Sequence, residues 1–160
     1  MKRIIEQSVI LEVLELEDLG KEEVKMMEKA LAYLENAYAP YSSFFVAASV
    51  LLDNGEILTS TNQENASFPV GVCAERSVLT YAGANFPGVK PLKIGIVAKR
   101  RGEGGFATVS PCGLCRQTIS EYEQRYQTEI EILMQTPDGN FLKAANISQL
   151  LPFKFTDLNS

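Results

Sequence analysis

Between Lys21 and Phe45, apolar residues return at spacings of three and four: Val24, Met27, Ala30, Leu31, Leu34 and Tyr38. That period is the stripe of an amphipathic helix, and Pro40 predicts its end. Met26 and Met27 then belong to the core and edge of this helix. Next come "FFVAASVLL" and "EILTSTNQ", two runs suited to strands, on either side of Asp53-Asn54-Gly55. A turn triplet between two such runs predicts a hairpin. "CAERSVLTYAGAN" reads as a short helix with Ala, Val, Leu and Tyr on one side. "LKIGIVAKR" is almost continuously apolar, as a buried strand is. "CGLCRQTISEYEQRY" is a further helix, opened by Pro111. "TEIEILMQTPDGNFLKAANI" is a second hairpin, turning at Pro137-Asp138-Gly139, and "SQLLPF" is a helical turn. Ahead of all these, Ile4 to Leu16 is aliphatic without a helical stripe and reads as an extended arm or strand.

The order is therefore helix, two strands, helix, strand, helix, two strands. Strand–helix–strand crossovers imply some parallel pairing. The expected architecture is α/β: a three-layer α-β-α arrangement with one mixed five-stranded sheet and helices on both faces. Residues 1–20 form an N-terminal arm, and residues 21–160 form a single domain.

Length and charge narrow the function. A chain of 160 residues, 46% apolar, can bury one core. No apolar run approaches the roughly 20 residues that span a bilayer, so no membrane partner is expected. Glu6, Glu12, Glu15 and Glu17 interrupt the N-terminal stretch, which does not read as a signal peptide. A cytoplasmic, reducing location is the expectation. A net charge of −5 argues against nucleic acid as a partner. The local basic run "AKRRG" at Ala98–Gly102 reads as a solvated loop or strand end.

The chain has three cysteines and no histidine. Cys112 and Cys115, three apart at a helix start, place their sulfurs on one side of one turn. Cys73 opens the other helix. Helix N-termini favour thiolate over thiol, so two of them facing each other would bring three thiolates to one point. Soft thiolates suit Zn²⁺, and three protein ligands leave the fourth position of a catalytic site for water. With no fourth cysteine and no histidine, only a carboxylate could close the site. Glu75, two residues after Cys73, stands where a carboxylate can take a proton from that water without being a ligand. Arg76 and Arg116 are either surface residues or donors that offset thiolate charge by hydrogen bonding to sulfur. Cys-x-x-Cys alone would also fit a redox pair. Cys-x-Glu followed by Pro-Cys-x-x-Cys is far more specific, and it is the signature of zinc deaminases acting on cytosine or adenine.

Together, "APYSSFFVAASV", "NQENASFPVGVCAERS", "SPCGLCRQ" and "LLPFKF" closely resemble the small cytidine deaminases, over most of the chain from Tyr38 onward. The resemblance implies a cytidine deaminase-like catalytic domain with one Zn²⁺ per subunit, held by Cys73, Cys112 and Cys115. It implies Glu75 as proton shuttle: it receives a proton from the attacking water, delivers it to N3 of the cytosine and assists the loss of ammonia. Asn62 and Glu64 match residues that hydrogen-bond the ribose hydroxyls, although read alone they are polar residues at a strand end. Phe44 matches an aromatic that packs on the pyrimidine, and Ala74 counts with it among the substrate contacts. Phe155 matches a C-terminal aromatic that reaches a neighbouring subunit's site in homotetrameric members. Arg76, Arg116 and Gln117 support the site from behind. The implied reaction converts cytidine and deoxycytidine to uridine and deoxyuridine, in pyrimidine salvage.

The chain departs from the family pattern in places. Ala47 stands where the family often has Gly, and Gln63 replaces an aliphatic residue. The stretch from Cys73 to Cys112 is lengthened around "ANFPGVKP" and "KRRGEGGFA", which could alter access to the pocket. The arm lies outside the pattern and is available to a neighbouring subunit. Three other functions are weighed against the first. They are a deaminase similar to those acting on blasticidin S, an editor of cytosine in nucleic acid, and a zinc-stabilised structural module without turnover. The acidic charge disfavours the editor, and Glu75 beside an open metal position disfavours the structural module.

Overall fold

The computed structural model describes residues 2–156. Six strands and three helices follow in chain order: β1 (Glu12–Leu14), α1 (Lys21–Tyr33), β2 (Phe44–Leu52), β3 (Ile57–Thr61), α2 (Ala74–Asn85), β4 (Pro91–Arg100), α3 (Gly113–Tyr126), β5 (Glu131–Gln135) and β6 (Phe141–Ala144). They form one sheet in the order β1-β6-β5-β4-β2-β3. Only the β4–β5 pair is parallel; the others are antiparallel. The mixed sheet with helices on both faces matches the expected architecture, but it has six strands rather than five. The sixth comes from the arm, where Glu12, Val13 and Leu14 pair with Lys143, Leu142 and Phe141. Three residues with two exposed side chains carry no readable alternation. What recruits them is the open edge of β6.

Side-chain alternation along the strands divides the interior in two. On one face Phe45, Ala47, Leu51, Val97, Leu133 and Phe141 pack against Met26, Met27, Ala30 and Leu34 of the α1 region. On the other, Ala48, Val50, Leu52, Ile94, Ile96, Ile132 and Met134 pack against Val78 and Leu79 of α2 and Ile119 of α3. Gly95 lets α1 approach closely, since a Cβ there would lie 2.5 Å from Met27 Sδ. Ala47 is fully buried in the α1-side core.

The first helix is shorter than its apolar stripe predicts. It stops at Tyr33 and tightens into a 3₁₀ turn over Leu34–Asn36. Leu31 lies on the exposed side. Tyr38 is not helical at all: its N–H donates to Asn62 O at 3.1 Å, and its carbonyl accepts from Glu64 N at 2.8 Å. Asn36 O is claimed by the Thr61 hydroxyl and the Gln63 amide, both at 3.3 Å. Partners near the end of β3 therefore outcompete continuation of the helix. Gln63 also explains its own polarity, because an aliphatic residue could not make that bond.

A four-member charge cluster fastens α1 to the sheet. Glu23 Oε1 lies 2.8 Å from Lys93 Nζ and 3.1 Å from Lys143 Nζ. Glu131 Oε2 lies 3.1 and 2.6 Å from the same two ammonium groups. Burial alone would raise the pKa of Glu23. The bonds from Lys93, the Gly20 N–H and Lys143 outweigh it and bring the carboxyl from 4.5 down to about 2. Folding therefore favours the charged form. That stabilisation is complete above the unfolded value of 4.5 and is lost as pH falls through about 2. Glu23→Gln should lower stability at pH 7 by on the order of 2–3 kcal/mol. It should also flatten the loss of stability between pH 4.5 and 2, as read by denaturant titration at a series of pH values.

Candidate metal centre and cleft

Cys73 is the N-cap of α2 and Cys112 the N-cap of α3, with Cys115 in the first turn of α3. Cys73 Sγ lies 3.9 Å from Cys112 Sγ, and Cys112 Sγ 3.5 Å from Cys115 Sγ. All three sulfurs fall within 4.8 Å of one another. Tetrahedral zinc with Zn–S bonds of about 2.3 Å sets its sulfurs about 3.8 Å apart, so this donor set fits one zinc ion. Three soft donors and no fourth cysteine or histidine in the chain match a site with an open position. All three cysteines are free thiols in the structure.

The thiols are electrostatically unequal. Hydrogen bonding to Cys115 holds Cys73 down to about 6 against burial, with help from Cys112 and the Arg76 charge. Cys115 is pushed far up by the same bond to Cys73, by burial and by the Glu75 charge. Glu75 is only 4% exposed. Burial raises its carboxyl, partly opposed by a backbone N–H; the Cys73 charge raises it further. A carboxyl poised this way holds a proton more readily than an exposed one.

A cleft of about 440 Å³ opens beside the thiols. Its walls bring together Phe44, Asn62, Glu64, Cys73, Ala74, Glu75 and Cys112, seven of the residues singled out in the sequence. Asn62 serves the backbone first: Oδ1 accepts Val46 N–H at 2.9 Å, and Nδ2 donates to Phe44 O at 2.9 Å. One amide N–H remains for a ligand. Glu64 Oε2 accepts the N–H groups of Tyr41 and Ser42 at 2.9 and 3.3 Å. A bond to the Ser42 side chain, then these N–H groups, hold its carboxyl below the usual range despite burial. The second oxygen is left for a ligand.

The residues expected behind the site are placed differently. Arg116 does not reach sulfur. Its guanidinium donates to Pro111 O at 2.8 Å, Leu150 O at 2.8 Å and Ser110 Oγ at 3.1 Å. Being three residues into α3, it faces the loop before Cys112 and the C-terminal segment. Arg76 acts on Cys73 by charge; no hydrogen bond from it to a sulfur occurs among the described residues. Gln117 donates to Phe155 O at 2.8 Å. Phe155 itself is 62% exposed and lies outside this chain's cleft. Ser42, Val46, Val109, Ser110 and Arg100 also line the cleft and were not singled out from sequence. Ser42, Val46 and Ser110 lie within motifs quoted from the sequence, and Arg100 lies in the basic run; it is exposed at the strand end, as expected for that run. In the structure β4 carries it into the cleft wall.

Three converging thiols, a buried carboxyl two residues from one of them and an adjoining polar cleft define a metal-dependent hydrolase. Residues 21–128 match the family model described as the cytidine and deoxycytidylate deaminase zinc-binding region, and the chain belongs to that family. A cytidine deaminase of Halalkalibacterium halodurans is 32% identical over 84% of this chain and 96% of its own length. A blasticidin-S deaminase of Bacillus cereus is 30% identical over 87% and 96%. The crystal structure of cytidine deaminase from Burkholderia pseudomallei superposes with a TM-score of 0.68 at 33% identity, covering 82% of this chain and 97% of that one. The chain is an enzyme of the cytidine deaminase kind. Among its described residues no helix is long and apolar enough to cross a membrane.

Arg116 pins the loop that carries a ligand, so Arg116→Gln should loosen the metal centre. Three charge-assisted bonds are lost or weakened, worth on the order of 3 kcal/mol together. The variant should release zinc to a colorimetric chelator at least several-fold faster than the unaltered chain and unfold at a lower temperature.

Proposed function

We propose that the chain is a zinc-dependent deaminase of free cytidine and deoxycytidine, releasing ammonia and leaving uridine and deoxyuridine for pyrimidine salvage. The observation that carries this reading is the joint placement of Glu75, Cys73, Cys112, Asn62 and Glu64 in one cleft. Zinc, held by Cys73, Cys112 and Cys115, supplies the activation of a water molecule at neutral pH. Glu75 takes the proton of that water, hands it to N3 as C4 is attacked, and then assists the departure of ammonia. Burial suits it to both the acid and the base role. The free oxygen of Glu64 and the remaining N–H of Asn62 hold the sugar hydroxyls, and Phe44 and Ala74 pack against the base. Fixing the sugar fixes the distance from C4 to the attacking water, which lowers the entropic part of the barrier.

The proposed assembly is a homotetramer. Phe155, Phe153, Tyr41, Phe68 and Val70 leave large apolar surfaces in solvent, and Tyr41 and Phe68 stand edge to face at 5.7 Å beside Glu64. A neighbouring subunit that covers this rim and supplies Phe155 would close the cleft. The proposed location is cytoplasmic, where free thiols stay reduced.

Glu75→Gln should retain one zinc per chain and lose at least about a thousandfold in turnover. Ammonia release from cytidine, deoxycytidine and blasticidin S, read beside metal content, tests this. Full activity of the variant would refute the assigned proton path. Turnover of blasticidin S alone would keep the chemistry and overturn the sugar contacts.

A further inference from the structure

β1 is the last strand on its side of the sheet. Its inner neighbour is β6, and among the described residues no strand pairs with its other edge. The chain just before β1 is tied to the body by the Ile10 N–H, which donates to Gln149 Oε1 at 2.7 Å. Backbone groups alternate in direction along an extended chain, so those of Val9 and Leu11 point the other way. Neither residue makes a hydrogen bond among the described residues. Ile4, Ile5, Val9, Ile10 and Val13 are all at least half exposed. An open edge of this kind is commonly blunted by prolines, lysines or a covering element. The first proline of the chain is Pro40, and after Arg3 no basic residue occurs before Lys21.

Charge is distributed unevenly along this arm. Lys2 and Arg3 stand at its start, and Glu12, Glu15, Glu17 and Asp18 at its end. A second arm running antiparallel is its electrostatic complement, because the basic start of each meets the acidic end of the other. Centred on Ile10, such a pair sets Ile10 against its own copy, Val9 against Leu11 and Ile4 against Leu16. Lys2 and Arg3 then fall beside Asp18 and Glu17, and no acidic residue falls opposite another. With the Ile10 N–H turned towards Gln149, Val9 and Leu11 are the residues free to exchange backbone hydrogen bonds with the second copy. Carboxylates outnumber the two basic residues, which disfavours an anionic membrane or nucleic acid as the cover.

We propose that residues 2–14 form a strand-addition interface with a second copy of this chain, the two arms pairing antiparallel about a twofold axis at Ile10 and joining two sheets edge to edge. The contact is isologous, so each stabilising pair occurs twice. It is separate from the cleft rim of Tyr41, Phe68 and Val70, and it does not depend on the deaminase reading.

Cross-linking of the zinc-loaded full chain tests the axis. Opposed residues in a non-hydrogen-bonded antiparallel pair have Cα atoms about 4.5 Å apart, within the roughly 4.4–6.8 Å that a disulfide spans. Ile10→Cys, treated with oxidised glutathione, should therefore form a covalent dimer on a non-reducing gel, where the unaltered chain does not. Ile4→Cys, equally exposed but far from its own copy along the paired arms, should not form one. In the Ile10→Cys chain, Arg3→Glu should slow dimer formation about tenfold at low salt. Adding Glu17→Arg should restore it, and high salt should shrink the difference. The proposal is overturned if Ile10→Cys gives no dimer or if Ile4→Cys gives as much. It is also overturned if Arg3→Glu has no effect at low salt or Glu17→Arg fails to restore the rate. Any of these outcomes would leave the arm to a different partner, while the tetramer proposed from the cleft rim would stand.

Discussion

The parallel pairing of β4 with β5 governs the site. To bring β5 alongside β4 in the same direction, the chain must cross back over the sheet, and α3 makes that crossing. Its N-terminus therefore begins after the end of β4. The loop leading into α2 places Cys73 at the same spot, 3.9 Å from Cys112. Two helix N-termini are thereby brought together, and each has a cysteine at its N-cap position. The ligand set follows from topology, and the core on one face of the sheet holds both helices in place.

Around that point side chains do work usually left to backbone. Asn62 bridges Phe44 O and Val46 N–H where the β2–β3 ladder ends. Glu64 holds the Tyr41–Ser42 corner. Arg116, Gln117 and Glu123, on α3, fasten the C-terminal segment: Arg116 at Leu150 O, Gln117 at Phe155 O, and Glu123 at Ile147 N–H at 2.9 Å and Lys154 at 3.5 Å. Asn62 and Glu64 satisfy backbone polar atoms while standing in the wall of the cleft. The same bond that rigidifies the scaffold therefore positions a ligand-facing residue.

The parts of the molecule that depend on local pattern were readable from sequence. The helices after Cys73 and Cys112, the Asp53-Asn54-Gly55 and Pro137-Asp138-Gly139 turns and the buried run of β4 appear where the spacing predicts them. The cysteine spacing and Glu75 were readable because motif and chemistry coincide. What could not be read depends on long-range partners. The recruitment of Glu12–Leu14 requires the open edge of β6. The early end of α1 requires Thr61 and Gln63. Arg116 looks like a sulfur donor in the motif, yet carbonyls 5 and 34 residues away capture it.

The loss of Arg116 as a sulfur donor changes how the charge of the metal centre is balanced. Three thiolates with Zn²⁺ total −1, which weakens the ion as a Lewis acid unless something offsets it. Arg116 is committed to carbonyls, and Arg76 contributes charge without a hydrogen bond to sulfur. What remains is the pair of helix termini. Neither Cys73 nor Cys112 accepts a side-chain cap hydrogen bond, so the first-turn N–H groups of α2 and α3 are not capped by these thiols' own geometry. Each terminus carries roughly half a positive charge. Two of them at one point oppose about one unit of negative charge, close to the excess left by three thiolates. The convergence that assembles the ligands would thus also oppose the negative excess around a bound zinc ion, while the arginine of the third motif holds the C-terminal segment instead.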